Sequence, residues 1–533
     1  MPSTTPSART HLKLTFGANQ FYTLFMGLLT VLLFYLAFPS VGFADLAWIT
    51  IVPGIIALNK IALRSAFMLG LLTATLGWMC SIWWSVNGIA EITSSSPNIA
   101  LPFVFFFCLL SAIPYACASW LHVRLGLGHS LRGAFASAAL FTVLINYIPH
   151  ILPGNLTHAL YLRPLFIQLA DIGGVALVFF IIHCVNILIA NGITLTRTNR
   201  TKAINCFVMA ILLFIGNISY GNYKSELLHT DVSAQVKSLR LAIMQPNIDI
   251  TNRTREDWFE QQKKLSQLFL SVNEEQDIDL IIFPEVPVPI SYRHYPKDKG
   301  FFDQFLTETP LLLTAISPIS ETIDDNAGYF NTMEFIQEQS IKQDYAKQVL
   351  LPFGEYLPFE QYMPWLREIF PFAPNYKPGK ESALITIKNA QGDSIKAIPL
   401  ICYEAVFTEQ VATGVAQGGQ FMINSSNDAW FYHAAGKRVH LALSIFRSIE
   451  YRKYLIRATN TGLSGVIDPY GNFVKESLLT ENTQSYAVVE IPINSQQSFY
   501  QQYPNFIKII FLLLSLFILI YFWTPHVDNK NTN

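Results

Sequence analysis

Eight stretches of this chain are apolar over lengths that suit a bilayer better than a water-soluble core. They run over Phe21–Phe38, 43–60, 65–86, 99–121, 131–152, 164–193, 203–220 and Asn505–Trp523. In lipid each backbone must satisfy its own hydrogen bonds, so each run is expected to be a helix. The composition agrees: 51% of residues are hydrophobic and only 14% charged. A net charge of −1 gives no electrostatic footprint for nucleic acid. Residues 1–20 are polar, carry Arg9 and Lys13, and are followed by no small-residue cleavage motif, so the first run is expected to stay in place.

Basic residues orient the spans. With the N-terminus inside, the inner segments hold Arg9, Lys13, Lys60, Arg64, Arg124, Arg132, Arg197, Arg200, Lys202 and Lys530, and the short outer loops hold only Arg163. That is a positive-inside pattern. It sends everything between the seventh and eighth runs to the outer face. Trp78, Trp83, Trp84 and Trp120 lie near span ends, as interfacial aromatics do. Asp171, followed by Gly173-Gly174, is an acid early in the sixth run, where it is either functional or interfacial; the glycines suggest a close helix contact.

The expected domains are a cytoplasmic tail (1–20), a membrane part of seven helices (21–228), an outer domain (229–497), an eighth span (505–523) and a second cytoplasmic tail (524–533). From about 232 to 495 the chain is mixed in polarity. Strand-like runs lie at Leu239–Gln245, Leu280–Phe283, Leu311–Ile316, Ala383–Ile387, Ile395–Cys402, Gln420–Ser425 and Tyr486–Ile491. Helical patterns at Trp258–Val272 and Arg438–Arg457 alternate with them, which predicts a layered α/β domain.

Three places in that domain carry chemistry. Ile398 to Cys402 is a buried-type strand that ends at a cysteine followed by Tyr403 and Glu404, the setting of a nucleophile elbow. Cys80, Cys108, Cys117, Cys184 and Cys206 all sit in apolar runs, so Cys402 is the one cysteine of the polar region. No paired cysteine spacing predicts a disulfide framework or a zinc site. Phe283-Pro284-Glu285 places a carboxylate at a strand end, where partial desolvation makes it a usable base. Tyr345-Ala346-Lys347 leads into Pro352-Phe353-Gly354-Glu355, a rigid turn beside a cation able to face an oxyanion. Singly, each has an ordinary reading as a surface acid, a solvated lysine or a small buried hydrophobe.

Glu285, Lys347 and Cys402, in this order on an α/β domain, resemble the Glu-Lys-Cys triad of the nitrilase superfamily. Seven spans before the domain, one after it, and the strings Lys347–Pro358, Cys402-Tyr403-Glu404, Asn424–Phe431 and Arg457–Gly471 are similar to the apolipoprotein N-acyltransferase family. Phe283 stands where that family usually has Trp, and Val286-Pro287 replaces commoner small residues. The resemblance implies a polytopic α-helical membrane part of eight spans carrying an α-β-β-α nitrilase-like sandwich. It implies a bacterial inner-membrane enzyme, with the catalytic domain on the periplasmic face, acting as a monomer without metal or organic cofactor. Its substrates would be a phospholipid acyl donor and a diacylglyceryl-cysteine apolipoprotein acceptor. Glu285 would be the proton acceptor, Lys347 the oxyanion stabiliser and Cys402 the nucleophile; Glu355, Tyr403, Glu404, Trp258 and Asn331 would support the site or bind substrate. A membrane-anchored amidase with water as acceptor is the alternative. Tyr356–Tyr376, rich in large apolar residues including Trp365 and Phe370, reads as a lid that touches the bilayer.

Overall fold

The computed structural model describes residues 18–92, 95–149, 152–230, 237–249, 255–287, 308–319, 328–371, 373–431, 433–493 and 496–523. The two terminal tails expected in the cytoplasm therefore lie mostly outside the described residues.

Apolar runs become helices, though not all at spanning length. Among the described residues, six are long and apolar enough to cross a membrane: Asn19–Ala37, Leu63–Ser81, Pro97–Arg124, Ala170–Leu195, Arg200–Leu227 and Phe506–Trp523. The expected second and fifth spans are shorter, Ala44–Leu58 and Leu131–Asn146. The former opens as a 3₁₀ turn (Ala44–Trp48) before Pro53 starts its α-helical part, which shortens the regular stretch. We label the helices used below α1 (Ala18–Ala37), α2 (Val52–Leu58), α3 (Leu63–Ser81), α4 (Ser85–Ile92), α5 (Pro97–Arg124), α6 (Leu131–Asn146), α7 (Pro164–Ile167), α8 (Ala170–Leu195), α9 (Arg200–Thr230) and α10 (Arg255–Asn273).

The polar region folds as two facing sheets. β1 (Ser238–Gln245), β2 (Leu280–Ile282), β3 (Leu311–Pro318), β4 (Tyr329–Gln337), β5 (Ser340–Ala346) and β11 (Ser485–Pro492) form one, in the order β11-β1-β2-β3-β4-β5. β6 (Ile385–Lys388), β7 (Ser394–Ile401), β8 (Phe421–Ser426), β9 (Leu455–Thr459) and β10 (Gly465–Ile467) form the other, ordered β10-β9-β8-β7-β6. Strand alternation sorts the side chains into layers. Leu239, Leu241 and Ile243 meet Ala397, Ile401 and Ile423 between the sheets, while Ala242 and Met244 face Leu265 and Phe269 of α10. On the other side Ile398, Leu400 and Met422 face Leu441, Ile445 and Phe446 of the helices Ala434–Ser444 and Phe446–Tyr451. The result is an α-β-β-α sandwich.

The expected helix Arg438–Arg457 is corrected. It ends at Tyr451, where Arg452 takes a left-handed backbone (φ 50), and the chain then enters β9. β4, β5 and β10 went unforeseen, because polar residues such as Glu334, Lys342 and Asp344 interrupt their apolar pattern.

The outer layer of the second sheet packs on the membrane bundle. Its apolar cluster runs on without a break into the bundle, joining Ile398 and Phe446 to Ile182 and Leu188 of α8. Polar contacts pin this junction. Asp171 is buried, accepts from Arg452 (2.7 Å), Lys224 (3.0 Å) and Tyr220 (2.7 Å), and so ties α8 to α9 and to the start of β9. Gly173 and Gly174 break α8 (Gly174 φ 63), and the buried Glu450 accepts from the Val175 N–H (3.2 Å) that the break exposes. A Cβ on Gly174 would sit 2.9 Å from the Tyr500 ring, so glycine is required there by both space and φ. Asp171 and the glycine pair thus belong to a joint between bundle and sandwich.

Arg452→Met leaves a buried carboxylate short of its main partner, which costs about 3–5 kcal/mol when the second charge is not removed with it. Unfolding of the detergent-solubilised protein should show that loss, and Asp171→Asn in the same chain should recover part of it. Additive losses would mean the two residues do not act as a pair.

Candidate active site

β7 ends at Ile401, and the next residue, Cys402, has φ 49. A left-handed backbone at a non-glycine residue costs about 1–3 kcal/mol and persists only where its surroundings enforce it. The enforcement is visible. Glu404 Oε2 accepts from the Ile401 N–H (2.8 Å), and Oε1 accepts from Tyr345 Oη (2.7 Å) and the Gln348 and Val349 N–H groups (2.6 and 3.1 Å). One buried carboxylate therefore binds the elbow to the loop that carries Lys347. Asn424 Nδ2 donates to the Cys402 carbonyl (3.1 Å) from β8.

Glu285 follows the end of β2. Thr314 Oγ1 donates to the Pro284 carbonyl (2.7 Å) and accepts from the Val286 N–H (2.6 Å), which fixes this turn, with Val286 at φ 46. Glu285 Oε1 accepts from Asn331 Nδ2 (2.8 Å) and Lys347 Nζ (3.5 Å), and Oε2 accepts from the Asn427 N–H (3.0 Å). Glu355 Oε1 accepts from the same Lys347 (2.8 Å) and the same Asn331 (3.1 Å), while its Oε2 accepts from the Leu351 N–H (2.8 Å). Asn331, on β4, thus spaces two carboxylates around one ammonium. Glu285, Asn331, Lys347 and Glu355 are all buried, with Lys347 only 1% exposed.

Burial and the neighbouring charges set the protonation of the Cys402 thiol. Burial, then the Glu285 charge, push the Cys402 thiol well above its ordinary range, and Lys347 pulls it back only in part. Burial alone would lower the Lys347 pKa, but Glu355, Glu285 and Cys402 together outweigh it and keep the ammonium protonated. Burial also moves Glu404 upward, against the donors that hold it. At rest the site holds a neutral thiol and a fixed cation.

Tyr403 packs edge-on against Phe407 (4.9 Å) and joins Cys402 in the wall of an apolar cavity of about 220 Å³. Its remaining walls come from two sources: Phe353, Trp430 and His440 of the sandwich, and Trp84, Ile89 and Phe107 of the bundle. The segment that runs through Glu355, from Phe353 to Phe370, is two-faced. Phe353, Leu357, Leu366 and the fully buried Phe370 pack on Phe103 and Phe107 of α5, whereas Phe359, Tyr362 and Trp365 are 58%, 75% and 51% exposed.

Of the residues singled out in the sequence, the structure gathers Glu285, Lys347, Cys402, Glu355, Tyr403, Glu404 and Asn331 at one site. Trp258 lies on α10, and its side chain is outside the described residues. A second buried layer was not singled out residue by residue, although Asp428 and Arg457 lie within the strings Asn424–Phe431 and Arg457–Gly471. Asp428 accepts from Arg457 (2.8 Å), lies 2.9 Å from His440 Nδ1, and accepts from Ser426 Oγ (2.8 Å); His440 Nε2 lies 3.3 Å from the Cys402 carbonyl. Burial would raise the Asp428 carboxyl, but Arg457 and His440 reverse it and hold it well below the usual carboxylate range. Among the described residues no His/Cys/Asp/Glu cluster is disposed to hold a metal.

Residues 240–501 match the family model for carbon-nitrogen hydrolase, and 30–188 match that for the apolipoprotein N-acyltransferase N-terminal domain. A Pseudomonas paraeruginosa protein named apolipoprotein N-acyltransferase is 30% identical over 404 residues, covering 74% of this chain and 75% of that one. One of the same name from Geobacter metallireducens is 24% identical over 492 residues, covering 90% and 91%. Among solved structures, an amidase from Nesterenkonia sp. aligns with TM-score 0.35 and 17% identity, over 51% of this chain and 95% of that one.

A neutral thiol predicts that alkylation of Cys402 by iodoacetamide rises steadily with pH, beyond the range near about 8.5 where an ordinary cysteine levels off. Lys347→Met removes the charge that lowers the thiol pKa, so labelling should slow further. A plateau near neutrality would indicate a preformed thiolate instead.

Proposed function

The chain belongs to the apolipoprotein N-acyltransferase family, and from that premise we propose how its residues carry the transfer. The enzyme moves a fatty acyl chain from a membrane phospholipid, through a Cys402 thioester, to the α-amino group of an S-diacylglyceryl-cysteine at the N-terminus of an apolipoprotein.

Glu285 accepts the thiol proton as Cys402 Sγ attacks the ester carbonyl. This couples deprotonation to attack, which suits a thiol whose surroundings disfavour a standing thiolate. Lys347 Nζ, with backbone N–H at the elbow, stabilises the tetrahedral oxyanion. The C–O bond then breaks, Glu285 returns its proton to the departing alkoxide, and a lysophospholipid leaves. The amine of the acceptor attacks the thioester, gives its proton to Glu285, and the C–S bond breaks to restore the thiol. Glu355 and Asn331 hold Lys347 and Glu285 in place throughout, and Glu404 holds the elbow. Trp258 is assigned a supporting part in substrate binding.

The observation that carries the reading is the shared cavity: the thiol of Cys402 opens into an apolar space walled partly by α4 and α5. An acyl chain can lie in such a space without meeting water, whereas a small polar amide gains nothing from it. The two shorter helices complete eight crossings, because Lys60 and Arg64 then fall on the same side as Arg124, Arg132, Arg197 and Arg200, opposite Arg163. With positive charge inside, the catalytic domain sits on the periplasmic face of the bacterial inner membrane. All the groups used come from one chain, which supports action as a monomer.

The direct test is intact mass after incubation with a phospholipid. Wild type should gain a hydroxylamine-labile acyl adduct that passes to a diacylglyceryl-cysteine peptide, and Cys402→Ser should gain none that hydroxylamine removes. An adduct released only to water would identify a hydrolase. Glu285→Gln should slow acylation by about 10²–10⁴-fold, the usual worth of a positioned base.

The exposed face of the Tyr356–Tyr376 segment gives a second expectation. Trp365→Ser should lower turnover of bilayer phospholipid without lowering stability. Phe370→Ser removes a fully buried ring and should cost about 3–5 kcal/mol in unfolding experiments. Equal effects of both on stability would rule out a membrane-facing role for Trp365.

A further inference from the structure

A second cavity, of about 90 Å³, lies inside the bundle beside the catalytic one. Its wall on α3 is formed by Gly70, Thr73, Ala74 and Gly77, which share one helix face at spacings of three and four. Thr73 and Ala74 leave room there that larger side chains would fill, whereas Gly70 and Gly77 are close helix contacts, where a Cβ would lie 2.6 Å from Ser119 Oγ and 3.2 Å from Phe34. Phe34 of α1 and Tyr115 of α5 contribute further walls. Ser119 and His183 add polar atoms to a lining that is otherwise mainly apolar.

One residue lines both cavities, and it is Trp78. It lies on α3 one residue past Gly77 and one turn before Ile82, whose side chain lines the catalytic space. Trp78 is 3% exposed, and its ring is held edge-on by Phe34 (6.1 Å) and Phe38 (5.6 Å). The apolar path therefore runs from Cys402 past the bundle residues of the first cavity to the indole, and continues behind it.

We propose that the second cavity receives the terminal methylenes of the donor acyl chain, with Trp78 as the partition that sets the chain length at which it is entered. This assignment rests on the acyl-transfer reading above. It makes Trp78 a specificity-determining residue some distance from the thiol. A chain that ends before the indole is held wholly in the first cavity, and a longer one must displace the ring to place its tail among the small residues of α3. In an apolar pocket each added or missing methylene changes discrimination by about tenfold or more.

The test is competition among phosphatidylethanolamines carrying myristoyl, palmitoyl, stearoyl and arachidoyl chains, presented to the whole protein in detergent micelles, with the acyl-enzyme read by intact mass. Trp78→Ala removes the partition, and the stearoyl-to-palmitoyl adduct ratio, which compares chains two methylenes apart, should rise about a hundredfold over wild type. Ala74→Phe fills the space behind it, and the same ratio should fall by a similar factor. Thr73→Leu fills less of that space and should move the ratio the same way by less, which keeps the test decisive if Trp78→Ala fails to fold. Ratios equal to wild type in the filling variants, with acyl-enzyme formed in normal yield, would overturn the proposal. Absence of an adduct on wild type with every donor would instead overturn the acyl-transfer reading beneath it.

Discussion

The continuous apolar contact between the second sheet's helices and the membrane bundle is what the rest of this molecule depends on. Sandwiches of this kind cover each sheet with helices to keep water off both faces. Here the helices Ala434–Ser444 and Phe446–Tyr451 are themselves covered by α8 and its neighbours, within one cluster that includes Phe446 and Ile182. Two buried acids, Asp171 and Glu450, fix the angle of the joint through Arg452 and the exposed Val175 N–H. A joint so constrained lets one cavity be walled from both sides. A catalytic domain tethered by a flexible linker could not hold such a wall.

Within that frame the proposed mechanism turns on a single ammonium. Lys347 sits between two carboxylates, and Asn331 braces both. The arrangement leaves the cation charged in a buried place while denying Cys402 a resting thiolate. Such a thiol is inert until an ester carbonyl arrives within reach of both sulfur and base. For a nucleophile that opens toward lipid, this limits stray alkylation and oxidation, which follow thiolate character. Glu404 supplies the mechanical counterpart, because one carboxylate ties the Cys402 elbow to the Lys347 loop.

Much of this was legible in residues, and the gaps have physical causes. β1 and β7 are buried on both faces over Leu241–Met244 and Ala397–Ile401, so their apolar runs there are continuous and readable. β5 is an edge strand with Lys342 and Asp344 on it, and the alternation that remains is too weak to separate from loop. β9 was hidden because helix-favouring residues precede it and Arg452 turns the chain without a glycine. Glu285, Lys347 and Cys402 stood out because each ends a strand or enters a rigid turn. Asp428, His440 and Arg457 could not, since their meaning arises only when β8, β9 and the Ala434–Ser444 helix are packed together. The same holds for the cavity, whose walls come from segments about three hundred residues apart.

The central claim is that bundle and sandwich together form the acyl pocket of Cys402. The most direct measurement is photo-crosslinking with a phospholipid bearing a diazirine on its acyl chain, followed by peptide mapping. Crosslinks on the peptides that contain Trp84, Ile89 and Phe107, diminished when Cys402 is first alkylated, are the predicted result. Crosslinks confined to the outward lipid-facing surface of the bundle, unchanged by alkylation, would contradict it.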